Sequence, residues 1–243
     1  MVEQILFLDT IEVMKPISSH VKSKERVAQY GEVLTPPEIV NAMLDLVKQE
    51  TERIDSRFLE PACGTGNFLT EILKRKLKIV EDRYKKNQLE YERYAVLAVS
   101  SMYGIDIQED NVQECRYNLF SIVDASYTNL YKDKAKDAFR ETVNYILLQN
   151  IVHGDALTLK TVGSNPQHII FSEWSLVNGS MIKRRNFAFH ELIPKDIPKE
   201  SSLFDGTGKP QLISDRGEKV FIPEPVKEYP LVHFLEVAHA YQN

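Results

Sequence analysis

The chain is poor in cysteine, with Cys63 and Cys115 the only two among 243 residues. Two thiols give neither a disulfide framework nor the paired spacing of a zinc site, so a reducing cytoplasm is the expected setting. No apolar run comes near the ~20 residues of a membrane helix. The opening MVEQILFLDTIEVMK has acids where a secretion signal has basic residues, and no membrane association is expected. An excess of positive charge is also missing. Thirty Lys+Arg stand against 35 Asp+Glu, a formal net charge of −5, which argues against wrapping nucleic acid by bulk charge but leaves room for a local basic groove. There is no internal repeat and no low-complexity block. What remains is a chain with 43% hydrophobic and 27% charged residues, long enough for one large domain with an extension.

Up to about residue 172 the pattern alternates helices with short apolar strands, the signature of an α/β sheet. Thr35-Pro36-Pro37-Glu38 reads as a helix start, with Thr35 as cap, Pro36 in the first turn and Glu38 completing a capping box. Ile39, Val40, Met43, Leu44 and Val47 follow as one apolar stripe. A strand is expected over 57–60, a helix over 67–80, a helix over 89–102 and a strand over 103–106. Helices follow over 109–119 and 135–149, then strands over 151–154 and 168–171. The long crossover from Asp124 to Gln149 reads as an inserted helical hairpin. Lys74, Arg75, Lys76 and Lys78 read as the solvated side of their helix. Beyond Leu192 the text thins into Pro, Lys, Asp and Gly, and a last helix is expected over about 231–241.

The stretch FLEPACGTGNFL, Phe58 to Leu69, runs a strand into two glycines one residue apart and then a helix. Such a turn lets a ligand approach the backbone closely. It is not a nucleotide-triphosphate loop, because Gly66 is followed by Asn67-Phe68 rather than Lys-Ser/Thr. It is not a dinucleotide fingerprint either, because the third glycine position holds Leu69. S-adenosylmethionine fits better: it has no phosphates, and Glu60 beside the turn attracts its ammonium group. Asp106 in YGIDI can accept both ribose hydroxyls, and Asp155 in VHGDAL can accept from the adenine amine. Taken singly these two acids could be helix caps. With the glycine turn, three acids at successive strand ends point to one cofactor.

GEVLTPPEIVNAML, FLEPACGTGNFL, YGIDIQEDNVQECRYNL and IVHGDAL, in that order over roughly residues 26 to 160, resemble the γ-class amino-methylating DNA methyltransferases, chiefly the adenine-N6 enzymes of restriction–modification systems. The resemblance implies an α/β fold of the SAM-dependent methyltransferase (Rossmann-like) type, an open sheet with helices on both faces. It divides the chain into an N-terminal helical extension (1–30), a SAM-binding domain (31–192, helical insertion about 124–149) and a loop-rich C-terminal extension (193–243) ending in a helix. It also implies that Thr35 and Pro36 contact the methionine end with Tyr30 close by. Glu60, Gly64, Gly66 and Asn67 would form the cofactor turn, Asp106 would hold the ribose, and Asp155 with Ala156 would flank the adenine. Cys63 is expected to be a small packing residue.

The sequence departs from this family in one place that matters. The family polarises the target amine with Asn/Asp-Pro-Pro-Tyr/Phe after its fourth strand, and no such tetrapeptide occurs here. After HIIF the sequence reads Ser172-Glu173-Trp174-Ser175. Ser172 or Glu173 could accept from an amine and Trp174 could stack on a flipped base, a substitute site for catalysis. Asn165-Pro166-Gln167-His168 is a second, weaker placement. Trp174 as a core aromatic and Glu173 as a solvated charge form the structural alternative. Lys183, Arg184 and Arg185 next to Phe187 and Phe189 suit DNA contact, or else the charged face of a strand. The ~50 residues after Leu192 are short for a target-recognition domain, so a specificity or recognition subunit is the expected partner. Three functions follow: an adenine-N6 DNA methyltransferase or modification subunit, a catalytically silent SAM-binding module of such a complex, or a methyltransferase on RNA, protein or a small molecule, which the block before the glycine turn counts against.

Overall fold

The computed structural model describes residue 26 and residues 35–193, 212–213, 219–220 and 223–241. Tyr30 and the rest of the expected N-terminal extension, Arg26 apart, lie outside the described residues. Helix α1 (Pro37–Asp45) opens at the proline pair, and Pro37 in its first turn needs no partner for its missing N–H. The expected capping box does not form, since Pro36 is the N-cap and no side chain caps the helix. Of its apolar stripe only Val40 and Leu44 are buried, while Ile39, Met43 and Val47 face solvent. The single turn α2 (Lys48–Thr51) follows.

The sheet comprises β1 (Phe58–Glu60), β2 (Met102–Asp106), β3 (Ile151–Asp155) and the short β4 (Lys160–Thr161), in that spatial order. The first three are parallel, and β4 runs antiparallel to β3. Between them come α3 (Asn67–Tyr84), α4 (Gln88–Ser100), α5 (Glu109–Tyr131) and α6 (Asp137–Asn150). Asn87 caps α4 by accepting from the Glu90 N–H at 3.3 Å. The crossover differs from expectation. In place of an inserted hairpin, α5 continues to Tyr131 and α6 is its return, joined through a 3-10 turn. The cause is a buried stripe at four-residue spacing, Cys115, Leu119, Val123 and Tyr127, which does not stop at 119. The corner is locked by the buried Glu92, which accepts from Tyr127 at 2.5 Å and from Lys136 at 2.9 Å. Arg116 on α5 donates to the Ile151 carbonyl at 3.0 Å and ties α5 to the start of β3.

Strand alternation gives the sheet two faces. Met102 and Ile151 point into the main core with Leu69, Leu73, Val96, Val99, Leu119 and Ile146 of the helices. Tyr103, Ile105 and Val152 point the other way, against Ile169, Phe171 and Phe189. That second face is covered by an antiparallel hairpin, β5 (Ile170–Val177) and β6 (Met181–Ala188), and by the single turn α7 (Phe189–Leu192). Helices on both faces were expected; among the described residues long helices cover only one. The Tyr103 and Phe171 rings meet edge-on at 5.3 Å across the join.

The described residues of the expected C-terminal extension include short paired strands. Beyond the two-residue pair β7 (Leu212–Ile213) and β8 (Lys219–Val220), strands β9 (Lys227–Glu228) and β10 (Val232–His233) both add to β6. The expected last helix is instead β10, a 3-10 turn over Phe234–Glu236 and the short α8 (Val237–Ala240). His233 makes this break by accepting the Leu235 N–H on its side chain at 3.2 Å.

Lys76 corrects another expectation. It is fully buried rather than solvated, and donates to the carbonyls of Ile54 and Ser56 and to Ser101 Oγ at the amino ends of β1 and β2. Burial pushes its ammonium down to about 7. Among the described residues no helix is long and apolar enough to cross a membrane.

Candidate functional site

Because β1, β2 and β3 are adjacent and parallel, Glu60, Asp106 and Asp155 all fall on the carboxyl edge of one sheet. Between β1 and α3 the chain turns through Gly64 at φ 51° and Gly66 at φ 91°, values that an L side chain resists. Asp106 holds this turn. One carboxylate oxygen accepts from the Gly64 N–H at 2.8 Å, the other from the Gln108 N–H at 2.8 Å and from Asn111 at 3.3 Å. Asn118 of α5 donates to the Thr65 carbonyl at 3.0 Å. Asn67, the first residue of α3, donates through its side chain to the Thr35 carbonyl at 3.0 Å, which brings the Thr35-Pro36 block to the glycine turn. No side chain caps α3, so the N–H groups of its first turn face the site unclaimed by side chains. Cys63 is buried under the turn, and its hydrogen bond with Cys115, together with burial, pushes its thiol pKa far up, so it packs rather than reacts.

The electrostatics of the edge are uneven. Burial raises the Glu60 carboxyl above its usual pKa, against a smaller lowering from the Ala62 N–H. A cation placed beside Glu60 would reverse that burial cost. Asp155 behaves oppositely: hydrogen bonds from the Leu157 N–H at 2.8 Å and Thr158 Oγ1 at 3.0 Å hold its carboxyl below its usual pKa, and they also cap the turn that follows. Ala156 sits in this turn. Ile107, next to Asp106, and Leu157, 95% exposed, present apolar side chains on the same rim. His153 donates to the Ile107 carbonyl at 3.1 Å and joins β3 to the loop after β2. Sequence reasoning missed Ile107, Leu157, Asn111, Asn118 and His153. Only the two apolar residues carried a signal, since each lies close behind a strand-end acid.

The expected catalytic residues do not reach this edge. Ser172, Glu173 and Trp174 lie inside β5, where Glu173 and Trp174 bond to residues just before the parallel strands, Arg57 before β1 and Asn150 before β3. Trp174 is 4% exposed and donates to Asn150 at 3.2 Å, and Asn150 donates to the Ser100 carbonyl, both just before β3 and β2. Its ring cannot stack on a base from there. Ser172 is buried and shares its hydroxyl with Arg184 and Asn186. Glu173 binds Arg57 at 2.7 Å, Ser175 at 2.7 Å and Arg185 at 2.9 Å. Burial works to raise its pKa, but these partners bring the carboxyl below the usual value. Asn165 lies in an exposed turn beyond β4, which is three strands over from the β1 that carries Glu60.

The basic cluster fares similarly. Arg184 is 4% exposed, bonded to Ser172, Tyr145, Gln149 and Asn186, and surrounded by the rings of Tyr145, Trp174, Tyr229 and Tyr241. A side chain so enclosed cannot bind a phosphate. Lys183 is paired with Glu228 at 2.7 Å and Arg185 with Glu173. These charges hold the hairpin together.

A mixed α/β chain with a glycine turn, an uncapped helix start and three strand-end acids on one edge falls in the class of methyltransferase domains. The family model of the MmeI DNA-methyltransferase domain matches residues 38–168. That is more than half of the 243 residues, and the chain belongs to this family. The match supports a DNA methyltransferase of a restriction–modification system. No curated protein and no solved structure gives a match.

Proposed function

We propose that this chain is the cofactor-binding part of an S-adenosylmethionine-dependent DNA methyltransferase acting on adenine N6, in the cytoplasm, within a restriction–modification system. The observation that carries the reading is the convergence of the uncapped α3 start with Glu60, Asp106 and Asp155 on one sheet edge. The residues suit the cofactor's chemistry. The N–H groups of the first turn of α3 can donate to a carboxylate, and Glu60 takes the ammonium. Asp106 retains lone pairs for ribose hydroxyls, and Asp155 for the adenine amine. Ile107, Ala156 and Leu157 offer apolar contact to the ring. Thr35 and Pro36 stand next to Asn67, toward the methionine end. When bound, the cofactor supplies an electrophilic methyl group; the chain's own residues anchor and orient it.

Ser172, Glu173 and Trp174, the expected amine acceptors and aromatic face, are engaged within β5 with Asn186, Arg57 and Asn150. Amine polarisation and target choice are therefore assigned to a partner, such as a recognition subunit. The burial of Ser172 and Trp174 also favours a second reading, a catalytically silent SAM-binding module. Calorimetric titration with S-adenosylhomocysteine tests the shared core of both. Binding that is lost in Glu60→Lys supports it; heat with NAD and none with S-adenosylhomocysteine sinks it. Labelled methyl transfer to unmodified DNA with the partner present then separates enzyme from silent module.

A further inference from the structure

Arg75 lies on α3 about two turns after Asn67, in the basic stretch from Lys74 to Lys78, yet its side chain is only 15% exposed. Its guanidinium reaches α1 rather than water. Nη2 donates to Asn41 Oδ1 at 2.8 Å and to the Asn41 carbonyl at 3.4 Å, and Nη1 pairs with Asp45 at 2.9 Å. Nη1 also donates to Thr51 Oγ1 of α2, and Nε to Glu71 one turn back on α3, both at 3.5 Å. The side-chain amide of Asn41 donates in turn to the Pro37 carbonyl at 3.0 Å, which holds the acceptor in place. Among the described residues α1 has little else to fix it. A helix of nine residues is too short to be stable alone, and only Val40 and Leu44 are buried. Asp45 ends the helix and its last turn has no basic residue, so Arg75 brings the cation that this end of the helix dipole favours. At the other end the Thr35 carbonyl takes its bond from Asn67. Thus α3 grips α1 at two places, just before its first turn and along its second half.

We propose that Arg75 is a positioning residue for the methionine end of the cofactor, acting through α1 on Thr35 and Pro36. This rests on the proposed function, which puts those two residues at that end. Apolar contact through Val40 and Leu44 is not directional and tolerates sliding and rolling. A planar fork on two acceptors one helical turn apart, Asn41 and Asp45, fixes both motions. Asp45 is 62% exposed, so the ion pair adds little to overall stability, and its use is geometric. With the fork released, α1 can turn on its two apolar contacts and carry Pro36 away from the glycine turn. Asp106 and Asp155 close β2 and β3, so the adenosine end stays where the parallel strands put it. Loss of Arg75 therefore separates the two halves of the site.

The test compares S-adenosylhomocysteine with methylthioadenosine, which keeps the nucleoside and lacks the amino-acid end, by calorimetric titration of the same samples. In Arg75→Met, S-adenosylhomocysteine should bind at least about tenfold more weakly, and methylthioadenosine as in the parent. Asn41→Ala combined with Asp45→Ala removes the same bonds from the α1 side and should reproduce that change in ratio. Arg75→Lys keeps the charge without the fork and should restore only part of the loss. Without ligand, amide exchange in Arg75→Met should quicken at least about tenfold at Val40 and Leu44. At Leu73 and Leu77 of α3 it should match the parent, which shows that the variant is folded. Equal weakening of both ligands overturns the proposal, because Arg75 would then support the site as a whole. So does an unchanged ratio in Arg75→Met or in the α1 double variant. Full affinity in Arg75→Lys overturns the part of the fork. If the parent itself binds neither ligand, the proposed function falls and this inference falls with it, a result distinct from any change between parent and variant.

Discussion

Replacing Gly66 by alanine probes the glycine turn through two separate costs. The first is conformational, since Gly66 sits at φ 91° and ψ 26°, a region that costs an L residue about 1–2 kcal/mol. The second is steric. A Cβ at Gly66 would stand 2.7 Å from Cys115 Sγ and 3.5 Å from the Cys115 Cα. Cys115 is fully buried on α5, so its sulfur has little space to retreat, and overpacking of this kind costs about 1–3 kcal/mol. Together the loss should be about 2–5 kcal/mol in urea unfolding. Cys115→Ala removes the sulfur and leaves only the contacts to its Cα and Cβ, both at 3.5 Å and ordinary. In the double variant the conformational cost should persist and the steric cost vanish, a coupling of about 1–3 kcal/mol. Cofactor affinity should follow, falling in Gly66→Ala and partly returning in the double variant. If the two substitutions simply add, within about 0.5 kcal/mol, the sulfur is not what demands glycine here and the packing argument fails.

Three further outcomes are expected. Burial raises the Glu60 pKa, and a cationic ligand needs its carboxylate, so affinity for S-adenosylmethionine should fall as pH drops through that raised pKa; Glu60→Gln should bind weakly with a flatter pH profile, read by calorimetry. Lys76 has a folded pKa of about 7 against ~10.4 unfolded. Between these values the unfolded chain holds the proton that the folded chain sheds, so this residue makes stability rise with pH by up to about 1.4 kcal/mol per unit; Lys76→Met should lose that slope in urea titrations from about pH 7 to 10. Arg184→Lys should cost at least about 2 kcal/mol, because an ammonium cannot reproduce the guanidinium's bonds inside the aromatic cage. If DNA binds at all, its salt dependence should be the same in that variant, and a reduced slope would return Arg184 to the DNA interface.

The candidate cofactor edge was legible because its signals are local. A strand, two glycines and a helix start lie within a dozen residues, and each later acid closes its own short strand. The parallel sheet then brings Glu60, Asp106 and Asp155 together without further instruction. The extent of α5 was written in the sequence too, in the four-residue spacing of Cys115, Leu119, Val123 and Tyr127, but the length of the crossover from Asp124 to Gln149 read as an insertion.

The hairpin is where local reading ran out. Ser172-Glu173-Trp174 and Lys183-Arg184-Arg185 alternate as strand residues do, and alternation does not say which face is buried or which end of the sheet is near. Only the tertiary structure decided that β5 crosses the amino ends of β2 and β3, which places Trp174 on Asn150 and encloses Arg184 among four rings. Likewise a lysine on a charged helix reads as solvated until the carbonyls of Ile54 and Ser56 close over it. The sequence alone determined the chemistry of the carboxyl edge, because glycine φ angles and strand-end acids act within a few residues of themselves. The burial of the hairpin's charges depends on which distant segments pack together, and that was decided by contacts between residues far apart in the chain.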